Sequence, residues 1–132
     1  MEAVGLVMSA FWAVCQIVVV VVLITINRRA ASGRLARNSS TGLRTPATMH
    51  SDRAWVAGHQ AALRHTPLYL VVLAATLTAL VVTVVTTRAV GLAIAVGVGG
   101  LIAFVPLAIY STVVANRAAK LADAGPEEGQ RP

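Results

Sequence analysis

The sequence predicts an all-α membrane protein, with three transmembrane helices and a short interfacial amphipathic helix in the first loop. Three observations predict it. Residues 3–26, 66–87 and 89–115 contain no Asp, Glu, Lys, Arg or His. Of 132 residues, 57% are apolar and only 12% are charged, about half the charged share of an ordinary globular chain. The ten Arg and one Lys fall almost entirely outside the apolar runs. This composition excludes a disordered chain, which lacks the apolar content to be so hydrophobic. The single Cys excludes a disulfide scaffold and a multi-Cys metal site.

Each run crosses a hydrocarbon core about 30 Å thick when it rises about 1.5 Å per residue. Backbone groups find no water there, so each run is expected to be helical, even through the Val-rich stretch 18–22. The first run starts after Glu2 rather than a basic segment, and ends in Asn27-Arg28-Arg29. It therefore reads as a retained anchor rather than a cleaved signal peptide. The second and third runs meet at Thr87-Arg88-Ala89, which predicts a tight antiparallel hairpin. Residues 1–116 thus form a three-span membrane domain, with a basic loop at 27–65. Residues 117–132 form a cytoplasmic tail, with at most a brief helical extension and a disordered Pro/Gly-rich end.

Arginine placement sets the direction of threading. The first loop carries Arg28, Arg29, Arg34, Arg37, Arg44, Arg53 and Arg64, the hairpin tip only Arg88, and the tail Arg117, Lys120 and Arg131. The N-terminus is expected outside and the C-terminus in the cytoplasm. The net charge of +6 then faces anionic lipid headgroups, and no direct nucleic-acid partner is expected.

Inside the bilayer, helices associate through small residues and polar contacts. Gly91, Ala95 and Gly99 recur every fourth residue, with Gly97 and Gly100 beside them. This face packs either within the chain or against a second subunit. Pro106 interrupts the same span and predicts a kink. Thr76, Thr83 and Thr87 are expected to bond back to their own helix. Gln16 is expected to bond to a neighbouring helix, and Cys15 to be inert.

The loop has two textures. Residues 28–41, rich in Arg, Ser, Gly and Ala, read as a flexible basic segment. From Gly42 onward the pattern changes. Pro46 disfavours helix at Thr45, and Ser51 can cap a helix that opens with Asp52 and runs to about Arg64. Trp55, His59 and Ala62 share one side of it, with Arg53 and Gln60 elsewhere. A lone Trp with flanking Arg suits the headgroup layer.

Arg44-Thr45-Pro46, Thr48, Ser51, Trp55 and His59, with Asn38 shortly before, resemble the signature loop of the SdpI family of small bacterial membrane proteins. The resemblance implies a bacterial inner-membrane location and a non-enzymatic role in immunity or signalling. The best-known member protects its producer from a secreted peptide toxin and holds a repressor at the membrane; this chain lacks that member's extra membrane helices. A peptide toxin and a cytoplasmic regulator are the partners so implied. Arg44, Thr45, Thr48, Trp55 and His59 are the candidate partner- or ligand-binding residues, and fastening of the loop to the bundle is their alternative role. Two further readings stand beside immunity: an accessory subunit of a larger membrane complex, and a small transporter.

His50, His59 and His65 have spacings that match no compact helix ligand pair, so no metal is expected. No nucleophile–base arrangement, paired carboxylates or Gly-rich phosphate loop is present, so no catalytic residues and no cofactor are assigned.

Overall fold

The computed structural model describes residues 2–87 and 89–125, and among them it holds four α-helices and no strand. These are α1 (Glu2–Ala31), α2 (Asp52–Leu63), α3 (Thr66–Thr86) and α4 (Val90–Asp123). Three of the four, α1, α3 and α4, are long and apolar enough to cross a membrane. Their cores are the three uncharged runs of the sequence. Two of them outrun those runs: α1 continues through Arg28 and Arg29, and α4 continues past Ala115 through Lys120 to Asp123. The helical extension expected at the start of the tail is thus present. The remainder of the expected disordered end, residues 126–132, lies outside the described residues.

The chain divides into two compact units. The first joins residues 2–22 to residues 67–108, most of α1 with α3 and about the first half of α4. Tyr69 stacks on Phe104 with ring centroids 6.0 Å apart, and Thr76 lies against Gly100, so α3 and α4 run antiparallel. Trp12 lies against Gly97 and Gln16 against Gly100, so α1 runs parallel to α4. Large aliphatic side chains face outward: Val7, Val14, Val18 and Val21 on α1, Val71, Val81 and Val85 on α3, Ile102 and Val105 on α4. An exterior this apolar on every helix is stable against lipid and not against water.

The small-residue face of α4 splits. Gly97 and Gly100 are buried, and a Cβ added at Gly97 would sit 2.3 Å from the Trp12 ring. Gly91, Ala95 and Gly99 are exposed, and nothing approaches a Cβ built at Gly91 or Gly99. Pro106 is exposed and α4 continues through it.

The second unit joins residues 23–66 to the described residues from 109 to 125. The segment expected to be flexible at 28–41 instead starts inside α1, which runs to Ala31, and continues in turns. Helix α1 ends at a left-handed Gly33 (φ 72°), where the Gly33 N–H reaches Ala30 O and the Leu35 N–H reaches Arg29 O. Glycine suits that conformation because it carries no Cβ penalty. Asn38 then closes a turn, its Oδ1 accepting from the Ser40 and Thr41 N–H groups at 2.9 and 2.8 Å. Local side-chain bonds, which composition does not register, order this polar stretch.

Candidate functional site

The residues singled out in the loop gather around α2. Ser51 caps the helix as predicted: its backbone is extended and its Oγ accepts from the Ala54 N–H at 3.0 Å. Asp52 occupies the first turn, where negative charge suits the dipole. Just before it, Thr45 and Thr48 form a reciprocal pair. The Thr45 N–H donates to Thr48 Oγ1 (2.9 Å) and the Thr48 N–H to Thr45 Oγ1 (3.1 Å). The Thr48 hydroxyl donates to Leu43 O at 2.6 Å and is fully buried. Pro46 keeps the intervening chain in a turn.

Trp55 and His59, one turn apart on α2, form the centre. Their rings are tilted by 48° with centroids 4.2 Å apart. Trp55 is only 1% exposed, and its indole N–H donates to Leu35 O at 2.9 Å. It is therefore not the headgroup anchor that its position beside Arg residues predicts. The loop folds back over it, so both its apolar face and its polar edge are satisfied by protein.

His59 is fully buried with both ring nitrogens engaged. The Leu43 N–H donates to Nε2 at 3.0 Å, and Nδ1 lies 2.8 Å from Trp55 O. Nε2 must accept and Nδ1 must donate, so only one neutral tautomer satisfies both contacts. Burial holds the imidazole below its ordinary pKa against the opposing pull of the Trp55 carbonyl. This ring has no free nitrogen for a metal or for proton transfer. His50 and His65 are engaged elsewhere: His50 Nδ1 lies 2.9 Å from Asp123 Oδ2, and His65 meets Tyr110 edge-on at 4.9 Å. Among the described residues no three metal-binding side chains converge.

Arg44 behaves differently from its neighbours. It is exposed, and its guanidinium donates to Ser39 O. Thr45, Thr48, Trp55 and His59 therefore build the interior of this unit, and Arg44 lies on its surface.

Sequence reasoning missed four residues. Gly42 adopts φ 107°, and a Cβ there would come within 2.6 Å of Trp55 and 2.8 Å of His59 Nε2. Gly58 sits between Thr48 and the Ala115 carbonyl, letting α2 lie close to α4. Both are glycines one or a few residues from the signature, the signal that could have found them. Asp123 accepts from Ser51 and pairs with His50, linking the end of α4 to the start of α2. It is the one acid between the last span and residue 126. Arg37 bonds to the carbonyls of Met49 and His50 and lies 3.3 Å from Asp52, and only its place among other Arg residues hid it.

In the first unit Gln16 is fully buried. Its Nε2 donates to Gly97 O at 3.2 Å and its Oε1 accepts from the Thr76 hydroxyl at 2.7 Å, so it ties three helices together. Thr78, Thr83, Thr86 and Thr87 bond back to their own helix at 2.8–3.0 Å, as expected of hydroxyls in lipid.

The model of the SdpI/YfhL protein family matches residues 34–111, more than half of the chain, covering the loop, α2, α3 and most of α4. No curated protein and no solved structure matches the chain.

Proposed function

The chain belongs to the SdpI/YfhL protein family, and from this we propose that it is an SdpI-type immunity or signalling protein that acts by binding, not by catalysis. The observation that carries this reading is the folded loop. A span-to-span connection needs only a few residues, yet this chain spends 33–66 on a unit with a buried Trp55–His59–Thr48 core. Such a core holds an outer surface in fixed register. That surface carries Arg44, His50, Arg53 and Gln60, all exposed, and is suited to the polar face of a peptide toxin or a cytoplasmic regulator. In this reading Thr45, Thr48, Trp55 and His59 are the scaffold and Arg44 is the contact.

In this reading the unit faces the cytoplasm and the N-terminus lies outside a bacterial inner membrane, supported by the excess of arginines in the loop. Arg28, Arg29, Arg34, Arg64 and Arg117 are exposed and would meet anionic headgroups. Expression of the full chain in a toxin-sensitive host tests the function. Protection that falls with Arg44→Ala, at unchanged membrane levels, supports the reading. Absence of protection, together with failure of any cytoplasmic partner to copurify, contradicts it.

A second reading draws on the exposed Gly91, Ala95 and Gly99 of α4: an accessory subunit packed against a larger membrane complex. Copurification in mild detergent that is lost on Gly99→Leu would favour it. A transporter reading draws no such support, because Gln16 is bonded within the bundle.

A further inference from the structure

Among the described residues, two buried side-chain atoms have no hydrogen-bond partner, Ser9 Oγ and Trp12 Nε1, and both lie on the face of α1 that also carries Gln16. An unpaired polar group in hydrocarbon is costly, which makes Ser9 of α1 an anomaly beside Thr76, Thr78, Thr83 and Thr86 of α3, whose hydroxyls all bond back to their own helix.

Two cavities adjoin Ser9. One, of about 330 Å³, is lined by Gly5, Ser9, Thr83, Ala89 and Ala93 among others, at the first turns of α1 and α4 and the last turn of α3. The second, of about 380 Å³, is lined by aliphatic side chains from Leu6 to Ala13 of α1 and from Leu77 to Val85 of α3, with Ser9 the one hydroxyl. Eight residues of helix make this groove about 12 Å long. Each volume falls at the lower end of ligand pockets, about 300–1,000 Å³.

Depth narrows the occupant. About 20 helical residues cross the hydrocarbon core. Counting back from Arg28, which marks one edge, puts the opposite edge close to Ser9. That is the level at which a bilayer lipid carries its ester carbonyls, acceptors attached to an apolar chain. We propose that this pair of cavities is a lipid site: an acyl chain lies in the α1–α3 groove and its ester carbonyl accepts a hydrogen bond from the Ser9 hydroxyl. The site is separate from the loop unit and independent of its proposed binding role.

The test uses the full chain in mild detergent, titrated with dioleoyl phosphatidylethanolamine or its ether-linked analogue, with bound lipid counted by native mass spectrometry. The wild type should hold one lipid, the ester form roughly fivefold more tightly than the ether form, which lacks the carbonyl. Ser9→Ala, a change that leaves the helix intact, should erase that difference. Ala13→Phe, which fills the groove, should weaken both lipids at least about tenfold by displacing the chain. Equal affinity for ester and ether lipids in the wild type, or a difference that survives Ser9→Ala, would overturn the proposal. So would a groove that rejects both lipids and takes up an apolar 20-residue helical peptide, which would assign it to a partner helix.

Discussion

The two units of this chain solve opposite problems. In the first, the solvent is apolar. Large aliphatic side chains turn outward, and helix contacts depend on glycines and a few polar atoms: Gly97 under Trp12, Gly100 under Gln16, Gln16 to Thr76 and Gly97. In the second, Trp55, His59 and Thr48 are buried and the loop arginines lie outside. Polar residues are the glue of the bundle's interior, whereas in the loop they close the chain around an aromatic centre. The same residue type therefore has a different energetic meaning in each unit, and substitutions should separate them.

The largest effect is expected at Trp55. Trp55→Ala removes the centre of the second unit and strands the Leu35 carbonyl, at a cost of about 3–5 kcal/mol. Hydrogen exchange in micelles should show loss of protection across residues 42–63, with α1 and α3 still protected between residues 3–22 and 67–86. Uniform loss across all helices would break the division into two units.

Gly42→Ala should follow, at about 1–3 kcal/mol, because the added methyl meets Trp55 and His59 and φ is left-handed. Its counterpart in the bundle is Gly97→Ala, which drives a methyl into the Trp12 ring. Gly99→Ala, two residues away on the exposed side, should stay within about 0.5 kcal/mol. Denaturant titration of the three variants in one detergent sharpens the comparison. An equal cost at Gly97 and Gly99 would mean that the packing face of α4 is not the one described.

A smaller effect is expected at Gln16. Interhelical hydrogen bonds in membranes average about 0.6 kcal/mol and rarely exceed about 1.7 kcal/mol. Gln16→Leu should therefore weaken the bundle modestly in the same titration, and leave exchange in the loop unchanged.

The smallest is a pH effect confined to the loop. His59 has its pKa lowered in the folded state, so the unfolded chain binds the extra proton more readily. Its contribution is complete above the ordinary pKa of about 6.5 and is lost as pH falls below it. Exchange protection over residues 42–63 should decline below that point, and His59→Gln should flatten the decline. Protection that instead rises on acidification would reverse the sign assigned to this ring.

Much of this was legible in sequence. The three spans follow from uncharged runs because the cost of burying charge in lipid is large and local. The Ser51 cap, the Pro46 turn and the placement of Trp55, His59 and Ala62 on one side of α2 follow from spacing of a few residues. What escaped depends on partners far along the chain. Nothing near Trp55 tells that Leu35 O receives its N–H, so an indole flanked by Arg reads as an interfacial anchor. Asp123 lies 72 residues from Ser51, and a lone acid in a tail has no local pattern to mark it. The glycine stripe was visible, but which glycines face inward depends on how Trp12 and Gln16 pack against α4. The order within 28–41 came from Asn38 and Gly33, two residues that composition averages away.

The central claim is that Thr48, Trp55 and His59 form a closed, hydrogen-bonded interior, with Thr45 beside them, rather than an exposed binding surface. The His59 ring tests it most directly. Long-range proton–nitrogen NMR of the full chain in micelles at neutral pH should show Nδ1 protonated and Nε2 bare, with slow exchange at Nδ1. A ring that averages both tautomers, exchanges freely with water and titrates at the ordinary value would contradict the account.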